Sequence, residues 1–600
     1  MNTPFPEATT SVAKLPLASP PRAALSFALY TLASMLAMIS LSCSQETVGR
    51  DEGENRAAST PPARSKEGAT IRRSIGDMGV AAGPREQGAS AIRGRAETLF
   101  SAGDYAAAVA AWERAHSILP APPYTLLMWG VALAELGRHD EALRRLKLAD
   151  ILQPADPATL MNLGNVLSQL GRFEHAIGKY ARAHALRPDH ADTLYNWGNA
   201  LFDLDRHEEA VEKYAHADAL RPDDADTLYS WGSALSNLGR HEEEIEKYRR
   251  ADAAKPGQPS TLLNWGAALA QLGQFEAAIA KLEQADAARP DDPATLYNWG
   301  AALSNLGRDE EAIEKYGRAN AARPGDAVTL YDWAGSLQTL GRPEEAAEKY
   351  LLADSARPDD PSTLMNWGVA LTDVGRPDEA VEKYAQADAL RPNNPGTQYN
   401  WGIALYALDR ADEAVERYAR VDARHPVYPA TVYHWGIALY RLGRVEDAVE
   451  KYEQADALDP EQPNTLYHWA MALYHVDRLD DAVEKYAGVD ALYPDHETTL
   501  TYWALALMKL RRYEEASGVL RRLQVIAPGH GSYNLACIHA VAGRADDCRV
   551  ALDLCVAHGT LPSREHMRAD ADLDSVRDTD WFRDILEQAP TEDDGEDQGD

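Results

Sequence analysis

Cysteine is scarce: four in 600 residues. Cys548 and Cys555 lie seven apart on one expected helix, about 10 Å by helical rise, too far for a disulfide. Only a Cys537–Cys548 bridge across a hairpin stays open, and buried small side chains are the simpler expectation for all three. No metal-ligand spacing occurs. No nucleophile motif, Gly-rich phosphate loop or acid/base pair stands outside the chain's repeated pattern, which argues against an enzyme and leaves no cofactor to assign. Basic residues are also in deficit, 60 Lys and Arg against 93 Asp and Glu, for a net charge of −33. Residues 1–88 carry nine basic and eight acidic side chains, so the acidity belongs to the remainder. Such a body repels nucleic-acid phosphates and leaves a basic partner open, although solubility alone accounts for the charge.

Long uncharged runs are absent except at one place. Residues 23–42, AALSFALYTLASMLAMISLS, carry no charge and come after Lys14 and Arg22. The run has the length of a membrane-spanning helix and is also compatible with a secretory apolar region. It ends at Ser42-Cys43, which resembles a bacterial lipoprotein cleavage box. That resemblance makes Cys43 the lipidation candidate, although Ser40 stands where leucine is usual. Lipidation, an uncleaved anchor and ordinary signal cleavage all place the rest of the chain on the non-cytoplasmic side, in the cell envelope. The segments read as 1–43 signal or anchor and 44–88 a polar linker poor in aromatics.

From residue 89 to 530 the chain repeats thirteen times with a period of 34. Proline marks it from Pro120 through Pro154 and Pro188 to Pro528. Tryptophan marks it at Trp129, Trp197, Trp231, Trp265, Trp299, Trp333, Trp367, Trp401, Trp435, Trp469 and Trp503, with Leu163 at the one vacancy. A strict period of this length means stacked units, each touching its neighbours, rather than a globular core. In residues 191–224, Leu194, Trp197, Gly198 and Leu201 share one helical face. Ala210, Tyr214, Ala217 and Leu220 share the face of a second helix beyond an Asp-Arg break, whose commonest form elsewhere is Gly-Arg. Small Gly198 and Ala210 allow close approach, and stacking covers the faces a lone hairpin leaves exposed. Glu209 precedes Lys213 by four residues, an orientation suited to a helical ion pair.

The order L-x2-W-G-x2-L, then A-x3-Y, then P resembles the tetratricopeptide repeat, with Trp and Leu exchanged relative to the family pattern. The resemblance implies an all-α solenoid, a right-handed superhelix of about 13–14 hairpins. Residues 531–590 read as a shortened repeat and capping helices, in which Leu573, Trp581, Phe582 and Ile585 would cover the last hairpin, and residues 591–600 as an acidic tail.

Two columns depart from the family. Near the end of the second helix stand Asp150, Asp218, Asp252, Asp286, Asp354, Asp388, Asp422, Asp456 and Asp490. Hairpins without the tryptophan carry His116 and His184 there, and two others carry Asn320 and Gln524. Because a buried indole N–H needs an acceptor, each tryptophan is expected to donate to the aspartate of its own hairpin, as in Trp231 with Asp252, or else the aspartates are merely solvated. The second column is amide-rich: Asn162, Asn196, Asn264, Asn298, Asn366 and Asn400, with Asn165, Asn199, Asn237, Asn305, Gln169 and Gln271 nearby. In the family the first helices line a concave face, and asparagine ladders there hold extended peptide backbone; the same amides could instead meet only water. Toward the C-terminus the amides give way to Tyr406, Tyr440, Tyr474, His434, His468 and His475, an end suited to apolar or basic peptide side chains.

The resemblance thus implies a non-catalytic scaffold for a protein or peptide, extended or basic, that contacts a membrane through its N-terminal segment only. The alternatives are an accessory factor for a cell-envelope enzyme and, remotely, the regulatory part of a transferase.

Overall fold

The computed structural model describes residues 83–422 and 428–591, without the Asp422 side chain. Among them the regular elements are α-helices and one short 3-10 turn, and no strand occurs. Fourteen helical hairpins succeed one another, from Pro84–Ser101 with Tyr105–Ile118 to Ser532–Val541 with Ala545–His558. The first helix begins at Pro84, five residues before the expected start of the array. Packing divides the chain at Glu311 and Ala312 into two units, each an α-solenoid.

Local chemistry explains the boundaries. The first helix of a hairpin is capped by the second acidic residue of the Pro-Asp-Asp turn: Asp224 accepts from the Thr227 amide (3.0 Å) and hydroxyl (2.6 Å). Asp156, Asp292, Asp326 and Asp360 do the same for Thr159, Thr295, Thr329 and Thr363. Each such cap is worth about 1 kcal/mol. The turn between the helices needs a left-handed residue, supplied by Gly239 (φ 67°) or by Asp205 (φ 57°).

The turn arginine then clamps the third residue of the second helix in a two-pronged bridge. Arg206 reaches Glu209 at 2.7 Å through both Nε and Nη2, and Arg240–Glu243, Arg342–Glu345 and Arg512–Glu515 repeat it. Glu209 is therefore engaged with Arg206, and the expected Glu209–Lys213 pair does not form. Arginine prevails because its planar fork matches a carboxylate at close range.

Between the helices the contact is tight. A methyl group on Gly198 would lie 2.6 Å from the Tyr214 ring, and Gly232, Gly368, Gly402 and Gly436 face Tyr248, Tyr384, Tyr418 and Tyr452 alike. These tyrosine rings are fully buried. Successive first helices also pack on one another, Pro259–Gln271 on Pro293–Asn305 in the first unit and Pro361–Asp373 on Pro395–Ala407 in the second. Successive second helices make no comparable packing among the described residues. Within each unit, then, the hairpins fan with their first helices innermost. At the end of the second unit, helices Arg564–Ala569 and Asp580–Gln588 and the turn Ala571–Leu573 bury Met567, Leu573, Phe582 and Ile585 with the last hairpins, and Trp581 packs at the margin.

Cys537, Cys548 and Cys555 are buried thiols, none of them in a disulfide. Burial pushes Cys548 up to about 12 and Cys555 up to about 11, so both stay protonated at neutral pH.

Candidate functional site

The tryptophan column is the frame on which the inner face is hung. The indole N–H groups of Trp129, Trp197, Trp231, Trp265, Trp333, Trp401, Trp435, Trp469 and Trp503 are buried and meet no acceptor among the described residues. The expected donation to the aspartates of the same hairpins is therefore incorrect for Trp129–Asp150, Trp197–Asp218, Trp231–Asp252, Trp265–Asp286, Trp435–Asp456 and Trp469–Asp490. Trp367, expected to pair with Asp388, carries a cation on its ring in the same manner as the rest.

The ring face holds the lysine or arginine of the second helix: Lys247 lies 3.8 Å from the Trp231 centroid, Lys281 3.7 Å from Trp265, Lys383 4.0 Å from Trp367 and Arg417 3.6 Å from Trp401. Each such contact contributes about 0.5–2 kcal/mol. Burial against the ring lowers the Lys247 and Arg417 pKa values. The vacancy at Leu163 acts as a control. Without a ring to cover, Lys179 pairs with Asp150 of the preceding hairpin at 3.1 Å.

The acidic column caps the second helix. Asp218, Asp252, Asp286, Asp388, Asp456 and Asp490 each accept the backbone N–H five residues on, at 2.7–3.1 Å. Asn320 does so toward Gly325, and the His116 ring nitrogen toward Ala121. These residue types recur because each is an acceptor for the left-handed turn residue or its counterpart, which offsets an aspartate's unfavourable position at a helix C-terminus. His116 and His184 also meet a tryptophan, edge-on, but it is that of the next hairpin, Trp129 and Trp197. Asp422 lies outside the described side chains.

The amide column is on the inner face, and most of it is braced. Asn264 donates to the Tyr229 hydroxyl at 3.2 Å and Asn366 to the Tyr331 hydroxyl at 2.7 Å, each a tyrosine of the preceding hairpin. Asn196 donates to Asn165, which also receives the Tyr180 hydroxyl, and Asn199 receives Tyr214. Asn162 and Asn298 donate to carbonyls of their own helices, those of Ala158 and Ala294. Asn400 occupies the same half-buried position. The amide nitrogens of Asn162, Asn196, Asn264, Asn298 and Asn366 thus each donate at least one bond within the chain. Their carbonyl oxygens accept no hydrogen bond among the described residues.

Beyond Asn400 histidine takes over that rung. His434 lies 3.3 Å from the Tyr399 hydroxyl and His468 3.2 Å from Tyr433, and burial lowers both histidine pKa values. Tyr406, Tyr440 and Tyr474 line the neighbouring column, and each meets a side chain that sequence reasoning missed or did not pair with it. Arg441 lies over Tyr406 (5.4 Å), His475 stands edge-on to Tyr440 (5.6 Å), and Lys509 lies over Tyr474 (4.3 Å). The available signal was the 34-residue column running through Arg441, His475 and Lys509. Among the described residues no cluster of three His, Cys, Asp or Glu is placed to hold a metal. Cys43 lies outside the described residues.

Tetratricopeptide repeat profiles match residues 195–259, 263–327, 331–395 and 399–463, with related profiles over 164–205, 90–114 and 123–147. The chain is a tetratricopeptide repeat protein. Solved structures similar to parts of this tetratricopeptide array include YrrB, described as a TPR protein with an unusual peptide-binding site, at 21% identity over 31% of this chain and 96% of YrrB, TM-score 0.29. MamA is 26% identical over 26% of this chain and 93% of its own, TM-score 0.26. Pseudomonas aeruginosa pilF is 17% identical over 34% of this chain and 93% of its own, TM-score 0.31. No curated protein matches the sequence. Tetratricopeptide proteins are typically non-catalytic scaffolds that bind protein or peptide partners, and this array is a protein-interaction scaffold in that general sense.

Proposed function

We propose that the chain holds an extended segment of a partner protein along the inner face of its first helices, and that its N-terminal segment tethers it to a membrane on the non-cytoplasmic side. The observation that carries the first part is the amide column. In the first unit Asn196, Asn264 and Asn298 are held through their amide nitrogens, and their carbonyl oxygens accept no hydrogen bond among the described residues, which leaves a row of acceptors interrupted at Ser230. Backbone N–H groups of an extended peptide are the donors that match such a row without reading side chains. Tethering is supported by the uncharged residues 23–42 after Lys14 and Arg22, with Cys43 at their end. Mass spectrometry of the mature N-terminus separates lipidated Cys43 from an intact anchor.

The binding test uses a labelled Gln/Gly peptide and the variants Asn298→Ala and Asn264→Ala. Asn298 bonds only to its own helix, so N298A should weaken binding about threefold, a loss on the scale of one hydrogen bond, with unchanged thermal unfolding. Asn264 also braces Tyr229, so N264A should weaken binding and cost about 1 kcal/mol of stability. Full retention of binding in both variants would remove the acceptor row from the function.

A further inference from the structure

In the second unit, the position closing each first helix changes sign along the chain: Thr339, Asp373, Ala407, Arg441, His475, Lys509. The last three rungs are related but not identical. Arg441 and Lys509 lie over the ring faces of Tyr406 and Tyr474, whereas His475 stands edge-on to Tyr440 with its Nδ1 3.1 Å from the Tyr440 hydroxyl; each tyrosine belongs to the preceding hairpin. A cation resting on a ring face is held in place. Arg441 also bonds Asp409 at 2.8 Å, both side chains largely exposed. Lys509 pairs with no carboxylate among the described residues, and its place on the strip is fixed by the ring alone. On a chain of net charge −33, three basic side chains follow Thr339, Asp373 and Ala407 at this one position. Neighbouring helices packed at about 8–10 Å set the rungs roughly three extended residues apart.

We propose that Tyr406, Tyr440, Tyr474, Arg441, His475 and Lys509 form a subsite for an acidic, extended segment of the partner protein, with carboxylates recurring at about every third residue. The proposal rests on the scaffold reading above and adds a polarity to it. The acceptor row takes backbone of any sequence, whereas the strip selects carboxylate side chains. The tyrosines hold the basic side chains in register, with the Tyr440 hydroxyl itself bonded to His475.

The test is fluorescence anisotropy on the full chain with three labelled peptides, Glu/Gly, Gln/Gly and Lys/Gly, of about ten residues, enough to cross three rungs at about 3.3 Å per residue. The Glu peptide should bind about tenfold more tightly than the Gln peptide, the size expected for two charge-assisted contacts at an exposed site. Arg441→Ala with Lys509→Ala should erase that preference and leave the Gln peptide unaffected, which separates this subsite from the acceptor row. Asp409→Asn frees Arg441 from its internal partner and should raise Glu-peptide affinity about threefold, a gain that loss of folding cannot mimic. Equal binding of the Glu and Gln peptides, an unchanged preference in the double variant, or no gain in D409N would each overturn the proposal. So would single-stranded DNA competing as well as the Glu peptide, which would identify a general anion site. If deleting residues 592–600 raised Glu-peptide affinity more than the D409N change does, the occupant would be this chain's own acidic tail, and the proposal would fall.

Discussion

The inner faces of the two units differ while the frames beneath them agree. From Asn162 to Asn298 the first unit lines its face with amides bonded to one another, to tyrosine hydroxyls or to their own helices. From Tyr399 to Lys509 the second unit lines it with tyrosine, histidine and cations. Yet Lys247 covers Trp231 in the first unit as Lys383 covers Trp367 in the second, and Gly198 meets Tyr214 as Gly402 meets Tyr418. Stability in a stacked array comes from each hairpin and its contacts with neighbours, so a lining residue can change without disturbing the stack. The rung from Tyr229 to Asn264 and the rung from Tyr399 to His434 show this directly, since both close on the preceding tyrosine hydroxyl with different partners.

One position of the frame varies within the second unit. The position after the tryptophan or Leu163 is glycine at 130, 164, 198, 232, 266 and 300 in the first unit, whereas the second unit holds Ala334, Ala470 and Ala504 beside Gly368, Gly402 and Gly436. In Gly198→Ala the new methyl would sit 2.6 Å from the buried Tyr214 ring. Overpacking of this kind costs about 2 kcal/mol. The reverse change, Ala334→Gly, lies in a hairpin already spaced for a methyl and should cost under about 1 kcal/mol, mostly through helix propensity. Comparing the denaturant midpoints of the two variants measures how far the hairpin spacing differs. Equal losses would mean that it does not.

The period was legible because Pro, Trp, Gly and Tyr fix it through steric demands that one residue type meets. What the aspartate and lysine columns bond to was not. Asp218 lies 21 residues after Trp197 and 13 before Trp231, and neither spacing shows whether a ring, a backbone N–H or an arginine is nearest. The real acceptor pattern, including His116 and Asn320, was visible as composition, but its donor is a backbone group no sequence displays. Likewise Glu209 had two basic neighbours, Arg206 and Lys213, and only the turn geometry decides for Arg206. The amide column was found from its period. What each amide nitrogen bonds to was not, since it is a tyrosine one hairpin earlier for Asn264 and Asn366 but a carbonyl of the same helix for Asn298.

Asp373 marks the point in the second unit where the lining changes sign. Its side chain touches solvent, but protein surrounds it closely enough that burial pushes its carboxyl up to about 6 from an ordinary 3.8. A raised acid pKa means that the folded state favours the proton. The contribution is full below about pH 4, is lost as pH rises toward about 6, and is flat beyond. Asp373→Asn removes that loss. The variant should match the parent at about pH 4 and exceed it by about 1 kcal/mol at pH 7.5, a value discounted for solvent contact. Urea midpoints measured across this range check the sign, and a gap that widened toward acid would contradict the desolvation of this site.

The smallest expected effect tests whether the frames are the same in both units. Lys247→Met and Lys383→Met keep the stem over Trp231 and Trp367 and remove the charge. Each should cost about 0.5–1 kcal/mol, alike in the two units. Lys179→Met, at the hairpin with Leu163, removes an ion pair to Asp150 instead. Its cost should be similar at low salt and should shrink at high salt, because a partly exposed ion pair is screened whereas a cation buried against an indole is screened much less. If the Lys247 and Lys179 variants responded to salt identically, the ring would not be what holds the lysine, and the tryptophan column would serve only to fill volume.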